Sequence, residues 1–201
     1  MLNIFGKLFD SNEKEINKLK PIIEKINALE EKNKKLKLGD FPKKTKEFRE
    51  RAKEGEPLES ILPEAFALVR EAAVRTIGLR HFDVQLMAST ALFEGKIAEQ
   101  KTGEGKTLSA TPALYLHALT GKNVHLVTVN DYLARRDAGW MGPIFNFLGL
   151  SVSSIISEES FVFDPKYLTK DAHDFRLLHL RPITRKEAYE KDIVYGINSE
   201  F

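Results

Sequence analysis

The first 78 residues alternate apolar and charged positions with the three- and four-residue spacing of amphipathic helices. Pro21 lies inside the first apolar stripe, so we expect a kink or a break of the helix there. The charged stretch 30–53 predicts a solvated helix with loops, and residues 58–77 predict a further helix that Gly78 ends. The sequence therefore predicts a helical arm over residues 1–78. The first stripe consists of Ile16, Leu19, Ile23, Ile26 and Leu29.

From residue 79 onward, β-rich runs alternate with helical ones. Residues 96–100 are a weak strand candidate, and the polar stretch 158–186, which contains scattered aromatic residues, has no clear period. A succession of strands and helices predicts an α/β domain over residues 79–201, with a parallel sheet flanked by helices. Helices are expected at 106–119 and 131–148, and strands at 124–129 (a buried one), 151–156 and 192–197.

Residues 1–9 carry a short amphipathic pattern of their own. A helix of this kind can bind an anionic lipid surface through its apolar face. The alternatives are an ordinary docking helix or a frayed terminus. The apolar positions are Leu2, Phe5, Leu8 and Phe9, with Lys7 as the cation between them.

Composition narrows the class of protein. The net charge is only +2, which does not indicate the clustered basic face of a nucleic-acid-binding protein. The chain has no cysteine, which excludes disulfides and thiolate metal sites within it and is typical of a reducing compartment. No apolar run reaches the length of a bilayer span, and the first ten residues lack the apolar core of a signal peptide. We therefore expect a cytoplasmic location.

A glycine loop at residues 101–107 (KTGEGKT) carries the strongest chemical signal. Its two glycines let the backbone curl so that N–H groups point at phosphate oxygens. Lys106 can reach the β- and γ-phosphates, and the Thr107 hydroxyl can ligate Mg²⁺. The strict P-loop pattern requires a glycine where this chain has Gln100. On the motif alone, a plain glycine turn between a strand and a helix therefore remains the alternative.

A second candidate segment lies upstream, at residues 80–85 (RHFDVQ). The amide of Gln85 offers a donor and an acceptor side by side, which matches the N6 and N7 edge of adenine. Phe82 can pack near the base. The alternative is a buried turn with one satisfied polar side chain.

A third segment, residues 128–137, follows a strand at a point where a parallel sheet presents loops to ligands. Asn130 or Asp131 can cap the next helix. Residues 135–137 (RRD) can form a salt-bridged helix surface and nothing more.

Together these segments resemble the SecA family of protein-export ATPases. The resemblance covers most of residues 1–155 and again residues 187–201, whereas residues 156–184 look like an insertion. The matching strings are KEFR at 46–49, PEAFALVREA at 63–72, RHFDVQ at 80–85, EGKIAE at 94–99, KTGEGKTL at 101–108, ALTGK at 118–122 and VTVNDYLARRD at 127–137.

The resemblance implies a RecA-like P-loop fold of the superfamily 2 helicase kind, incomplete in this chain, with ATP and Mg²⁺ as cofactors. It implies that Gln85 recognises adenine, with Phe82 nearby, and that Gly103, Glu104, Gly105, Lys106 and Thr107 surround the phosphates. Lys106 and Thr107 would act in catalysis, and Thr107 would bind Mg²⁺. The family continues past the position of Phe201 into an acidic motif that activates water. We therefore expect the 201-residue chain to bind ATP weakly at most and not to hydrolyse it.

The resemblance also implies partners: the SecYEG channel, preproteins and an anionic phospholipid surface, which would place the protein peripherally on the cytoplasmic face of the cell membrane. Nucleic acid is not an expected partner, and the oligomeric state stays open between a single chain and a homodimer. Two rival functions remain. A nucleic-acid helicase fragment would require a basic groove lined with aromatic residues, and a non-catalytic interaction module would not bind nucleotide.

Overall fold

The computed structural model of the protein describes residues 4–169 and 173–201, with side chains from residue 12 onward. The apolar face predicted for residues 1–9 therefore lies outside the described side chains. The helices are α1 (Ile4–Ala28), α2 (Glu30–Lys34), α3 (Asp40–Lys53), α4 (Leu58–Ile77), α5 (Asp83–Phe93), α6 (Lys106–Ser109), α7 (Thr111–Ala118), α8 (Asp131–Phe147) and α9 (Arg185–Tyr189). The strands are β1 (Val124–Thr128), β2 (Val152–Ile155), β3 (Ser160–Phe163), β4 (Leu180–Ile183) and β5 (Ile193–Ile197).

The arm is helical, as its pattern predicts, but two details differ. Helix α1 continues through Pro21, which excludes a break there and leaves the alternative that we expected, a kink, as a prediction. Its apolar stripe packs inward at Ile23 and Ile26, both buried. Helix α3 is not merely solvated, because Phe41 and Phe48 on its inner face are completely buried in the core. The charged residues of this segment thus cover one face of a helix that the apolar residues attach to the protein.

Helix α4 lies at the centre of the packing. Eleven of its residues are buried, and it packs against α1, α7 and α8. It ends as predicted at Gly78, whose φ of +71° is favourable only for glycine and whose N–H donates to the Val74 carbonyl. One continuous apolar core joins the arm to the sheet, with Phe66 of α4 and Tyr195 of β5 among its members.

The sheet has the strand order β1-β5-β2-β3-β4. Strands β1, β5 and β2 are parallel, which confirms the expected α/β class, whereas β3 and β4 extend the sheet in antiparallel pairing. Along β5, Ile193 and Tyr195 belong to the core under α8, while Val194 packs with Ala188 of α9 on the other face. Successive side chains of a strand point to opposite faces, so helices cover both sides of the sheet.

Four expectations for this part of the chain need correction. Strand β1 was expected to be buried, but it is an edge strand with alternate residues exposed, because β5 is its single neighbour. Residues 96–100 form no strand. The helix expected over 106–119 is divided into α6 and α7 by a turn at Ala110. The stretch 158–186, which showed no period, contains β3 and β4, and residues 170–172 within it lie outside the described part.

Within residues 4–169 and 173–201, no helix is both long enough and apolar enough to cross a bilayer.

Candidate functional site

The backbone of the glycine loop at residues 101–107 is held by two glycines in the left-handed region. Gly103 has a φ of +90° and Gly105 a φ of +81°. Residues with a Cβ rarely adopt such angles, so the sharp turn depends on glycine at these positions. Gly105 immediately precedes Lys106, the first residue of α6. The loop is therefore a tight turn that leads directly into a helix, as the phosphate-binding prediction requires, whereas the strand that should precede it is absent.

Two charged side chains of the loop, Glu104 and Lys106, bond to its own backbone. The Glu104 carboxylate accepts a 2.7 Å hydrogen bond from the Lys101 N–H, and the Lys106 ammonium donates a 2.9 Å bond to the Lys101 carbonyl. Lys106 is exposed and forms no ion pair with any described residue. Its charge is thus available to an anion, while the Glu104 carboxylate is held at the start of the loop.

The Gln85 side chain supports the loop from below. It is 5% exposed, its Oε1 accepts a 3.0 Å bond from the Phe82 N–H, and its Nε2 donates a 2.9 Å bond to the Glu104 carbonyl. A Cβ added at Gly105 would lie within 3.0 Å of this nitrogen, a separation that real Cβ atoms essentially never show. Gln85 therefore links the start of α5 to the glycine loop. At position 105 glycine suits the positive φ, and any Cβ there would displace the end of the Gln85 side chain.

These bonds leave the Gln85 amide with one more hydrogen and further lone-pair capacity. Phe82, at the N-terminal end of α5, is 67% exposed. Of the two side chains predicted to contact adenine, Gln85 is thus a buried support of the glycine loop, whereas Phe82 lies on the surface and bonds to Gln85 through its backbone N–H.

His81 is a buried residue behind the loop that the sequence interpretation did not single out. Its Nε2 lies 3.0 Å from the Leu108 carbonyl and 3.0 Å from Thr111 Oγ1. Because a carbonyl only accepts hydrogen bonds, Nε2 carries the proton. Burial lowers the pKa of His81 to about 4, so the ring is neutral at pH 7. It connects the start of α5 to the junction of α6 and α7.

Asp137 of α8 faces the same loop. The Thr107 hydroxyl lies 3.4 Å from its Oδ2, and the Arg136 guanidinium donates a 2.7 Å bond to its Oδ1. The predicted ion pair of residues 135–137 is thus present, but Asp137 is only 7% exposed and does not form a helix surface. Burial raises its pKa, against the opposing effect of Arg136. A distance of 30 residues separates Thr107 from Asp137, and no short motif would have paired them.

The segment after β1 caps α8 as expected. The Asn130 side chain accepts a 2.9 Å bond from the Leu133 N–H. Asp131 instead accepts a bond from the Ser157 hydroxyl. Neither residue bonds to the glycine loop.

The arm reaches the start of α5 through polar contacts. The Arg70 guanidinium donates a 2.6 Å bond to the Asn27 side chain, which in turn donates a 3.2 Å bond to Asp83, the first residue of α5. Glu30 pairs with Arg80 on the neighbouring surface at 2.6 Å. The segment predicted to recognise the base is therefore held between the arm and the glycine loop.

Magnesium would have a sparse protein ligand set here. No group of three or more His, Cys, Asp or Glu that could hold a metal ion occurs within residues 4–169 and 173–201. Mg²⁺ bound with a nucleotide typically takes few protein ligands and completes its octahedron with phosphate oxygens and water. The Thr107 hydroxyl, next to the loop and supported by Asp137, fits such a role.

A family of known proteins matches nearly the whole chain, including the glycine loop and the residues around it. The family described as SecA DEAD-like domain matches residues 5–201. The chain belongs to this family. Membership, together with the sheet and its surrounding helices, confirms the predicted resemblance to SecA and the α/β fold of RecA type with N-terminal helices.

Individual relatives show the same similarity. The protein translocase subunit SecA of Chloroflexus aggregans is 60% identical over 204 residues, which include 100% of this chain and 21% of the relative. The subunit of the same name from Thermodesulfovibrio yellowstonii is 56% identical over 202 residues, covering 100% of this chain and 23% of the relative. The chain therefore spans about a fifth of the length of the curated SecA relatives it matches.

Proposed function

We propose that this chain is the ATP-binding part of a SecA motor, which couples ATP hydrolysis to the movement of preproteins through the SecYEG channel. The motor would be cytoplasmic and peripheral on the membrane, in contact with anionic phospholipid. The observation that carries the proposal is the glycine loop with its two left-handed glycines and the exposed Lys106, which forms no ion pair with a described residue, in a chain of the SecA family.

Phosphate binding would use the loop backbone and Lys106. The N–H groups of a curled glycine loop converge on phosphate oxygens, and the ammonium neutralises the β- and γ-phosphates. Lys106 would exchange its bond to the Lys101 carbonyl for these phosphates. Glu104, held by the Lys101 N–H, would stay clear of them. Thr107 would ligate Mg²⁺, which when bound neutralises charge that develops on the transferred phosphoryl group.

Base recognition would use the remaining hydrogen-bonding capacity of the Gln85 amide, with Phe82 packing against the ring. Gln85 is already bonded to Phe82 and to the Glu104 carbonyl, so its position relative to the loop is set before nucleotide arrives. A donor and an acceptor fixed in this way favour adenine over guanine.

Hydrolysis by residues 1–201 alone is not expected. Hydrolysis requires a group that orients and deprotonates water beside the phosphate. Three carboxylates of the chain are candidates for this group, and each already accepts a hydrogen bond: Glu104 from the Lys101 N–H, Asp131 from Ser157, and Asp137 from Arg136. Each is therefore a poor base, and we expect the chain to bind nucleotide without turning it over.

Binding of a fluorescent ATP analogue to residues 1–201, with phosphate release followed in the same samples, tests the proposal. Lys106→Ala should weaken binding about 10- to 100-fold, because it removes a charged hydrogen bond of about 1.5–3 kcal/mol. Lys122→Ala, which removes an exposed lysine away from the loop, is the matched control and should bind normally. Unchanged affinity in Lys106→Ala would refute the site, and phosphate release that Lys106→Ala abolishes would show that the chain contains its own base. In the complete translocase, Lys106→Ala should abolish ATP-driven transport.

A further inference from the structure

Asp137 is a buried carboxylate that has no role in the nucleotide binding proposed above. It projects from the second turn of α8 toward the glycine loop and is 7% exposed. Removing a carboxylate from water is costly unless hydrogen bonds or an opposite charge compensate it. A buried carboxylate at this position therefore calls for an account of what its two oxygens do.

The two oxygens have different neighbours. Oδ1 receives the Arg136 guanidinium, with Nε at 2.7 Å and a terminal nitrogen at 2.6 Å. Oδ2 lies 3.4 Å from the Thr107 hydroxyl, and a carboxylate oxygen can only accept. Arg136 therefore compensates the charge on one side and leaves the other oxygen directed at Thr107. The 3.4 Å separation is long for such a bond, and hydrogen bonds in ligand-free sites often shorten when the ligand binds.

A hydroxyl that ligates a metal ion uses a lone pair and keeps its proton. The proton needs an acceptor on the side away from the metal, and without one the hydroxyl rotates freely. Residues that receive such protons orient the ligand even though they do not touch the metal. Oδ2 of Asp137 is an acceptor of this kind for Thr107.

We propose that Asp137 is a positioning residue for magnesium: its Oδ2 receives the Thr107 hydroxyl proton and so directs the hydroxyl lone pair toward Mg²⁺. The inference rests on the proposed function, because it assigns Thr107 to Mg²⁺. The site is otherwise built from the glycine loop, and Asp137 adds a residue from α8, the helix that follows β1 in the sequence.

Asp137→Asn is the sharpest substitution because it keeps the shape. With Arg136 donating to one side, the carbonyl oxygen of the new amide would turn to Arg136 and its NH₂ would face Thr107. The group opposite Thr107 would then donate instead of accept, so the hydroxyl lone pair would be drawn away from Mg²⁺. The change tests the direction of one hydrogen bond.

The experiment uses the full-length translocase subunit of which we propose this chain is a part. Binding of a fluorescent ADP analogue is measured in EDTA and then during a Mg²⁺ titration. Asp137→Asn should lower the apparent Mg²⁺ affinity about 10- to 100-fold, while the nucleotide affinity in EDTA stays unchanged. Asp192→Asn is the matched control, since Asp192 is also a largely buried carboxylate paired with an arginine, Arg49, but bonds to Ser151 and not to the loop.

The outcomes separate the two claims. If the wild-type protein binds no nucleotide, the proposed function fails and this inference fails with it. If it binds with Mg²⁺ dependence and Asp137→Asn behaves like Asp192→Asn, only the role of Asp137 is refuted. An equal loss with and without Mg²⁺ would show a merely structural role and would also refute it. Should Asp137→Asn fail to fold, Asp137→Glu, which keeps the charge but displaces the oxygen by one methylene, must itself lower Mg²⁺ affinity for the inference to stand.

Discussion

Gly105 can be tested without any ligand, because its neighbour Gly103 is a built-in control. Both have positive φ, +81° and +90°, so alanine at either position must adopt a left-handed backbone, which costs about 1–2 kcal/mol. A Cβ at Gly103 would meet open space, whereas one at Gly105 would collide with the Gln85 amide. Gln85 would have to move and give up its 2.9 Å bond to the Glu104 carbonyl, a further cost of about 0.5–1.5 kcal/mol.

We therefore expect Gly105→Ala to lower the free energy of unfolding by about 1.5–3.5 kcal/mol and Gly103→Ala by about 1–2 kcal/mol. For a chain of this size, each kcal/mol shifts the melting temperature by about 2–4 °C. Urea unfolding followed by circular dichroism, with thermal melts in parallel, would measure both variants.

The decisive comparison repeats both substitutions in a Gln85→Ala background. Removing the amide removes the obstacle, so Gly105→Ala should then cost no more than Gly103→Ala. Equal costs in the wild-type background would contradict the argument. So would a difference that persists without the amide, because it would have to arise from something other than the contact between Gln85 and Gly105.

Three further predictions concern the buried histidine, the base and the arm. The pKa of His81 is lowered from 6.5 to about 4, so the free energy of unfolding should keep its full value above pH 6.5 and fall by up to about 3 kcal/mol as the pH drops toward 4. In His81→Gln, the urea midpoint should no longer fall in this way over the same pH range. Gln85→Ala should weaken ATP by about 1–3 kcal/mol and GTP by less, and equal losses in a competition assay would argue against base recognition. Deleting residues 1–9 should reduce co-sedimentation with vesicles that contain anionic phospholipid; unchanged sedimentation would favour an ordinary docking helix.

Much of the fold could be predicted because its signals are local. The 3.6-residue period of α4, the left-handed stop at Gly78 and the β-branched run of β5 each act within a few residues, and all three are found as expected. The position of β1 within the sheet could not be predicted from such local signals. Its apolar run is typical of a buried strand, but whether a strand lies inside or at the edge depends on neighbours that are distant in sequence.

The antiparallel pair β3 and β4 was hidden for a physical reason as well. Each strand has only four residues, and Pro182 within β4 argues against a central strand. In the structure β4 is the outer edge, where the missing N–H of proline is tolerated. Between the two strands, the short helical turn Phe175–Leu177 packs closely on α8, since a Cβ at Gly139 would collide with the Arg176 carbonyl.

The candidate site was only partly accessible to sequence reasoning. The glycine loop and Gln85 belong to recognisable strings, so their nearness could be expected from the family resemblance. The pairing of Thr107 with Asp137 could not, because it depends on how α8 lies against the loop. The neighbouring arginines made Asp137 look like part of a charged surface, whereas its side chain turns inward.

The central place of α4 has a consequence for how this chain is made. During synthesis α4, eleven residues of which become buried in the folded protein, emerges early from the ribosome. Strand β5 belongs to the same core but ends only at Ile197. At about 5–20 residues per second, synthesis of the intervening chain takes on the order of ten seconds. Helix α1 precedes α4, and helices α7 and α8 emerge during that interval, but the core that α4 shares with β5 stays incomplete until its end. Nascent chains should therefore bind chaperones strongly until β5 has emerged, and then be released from them together.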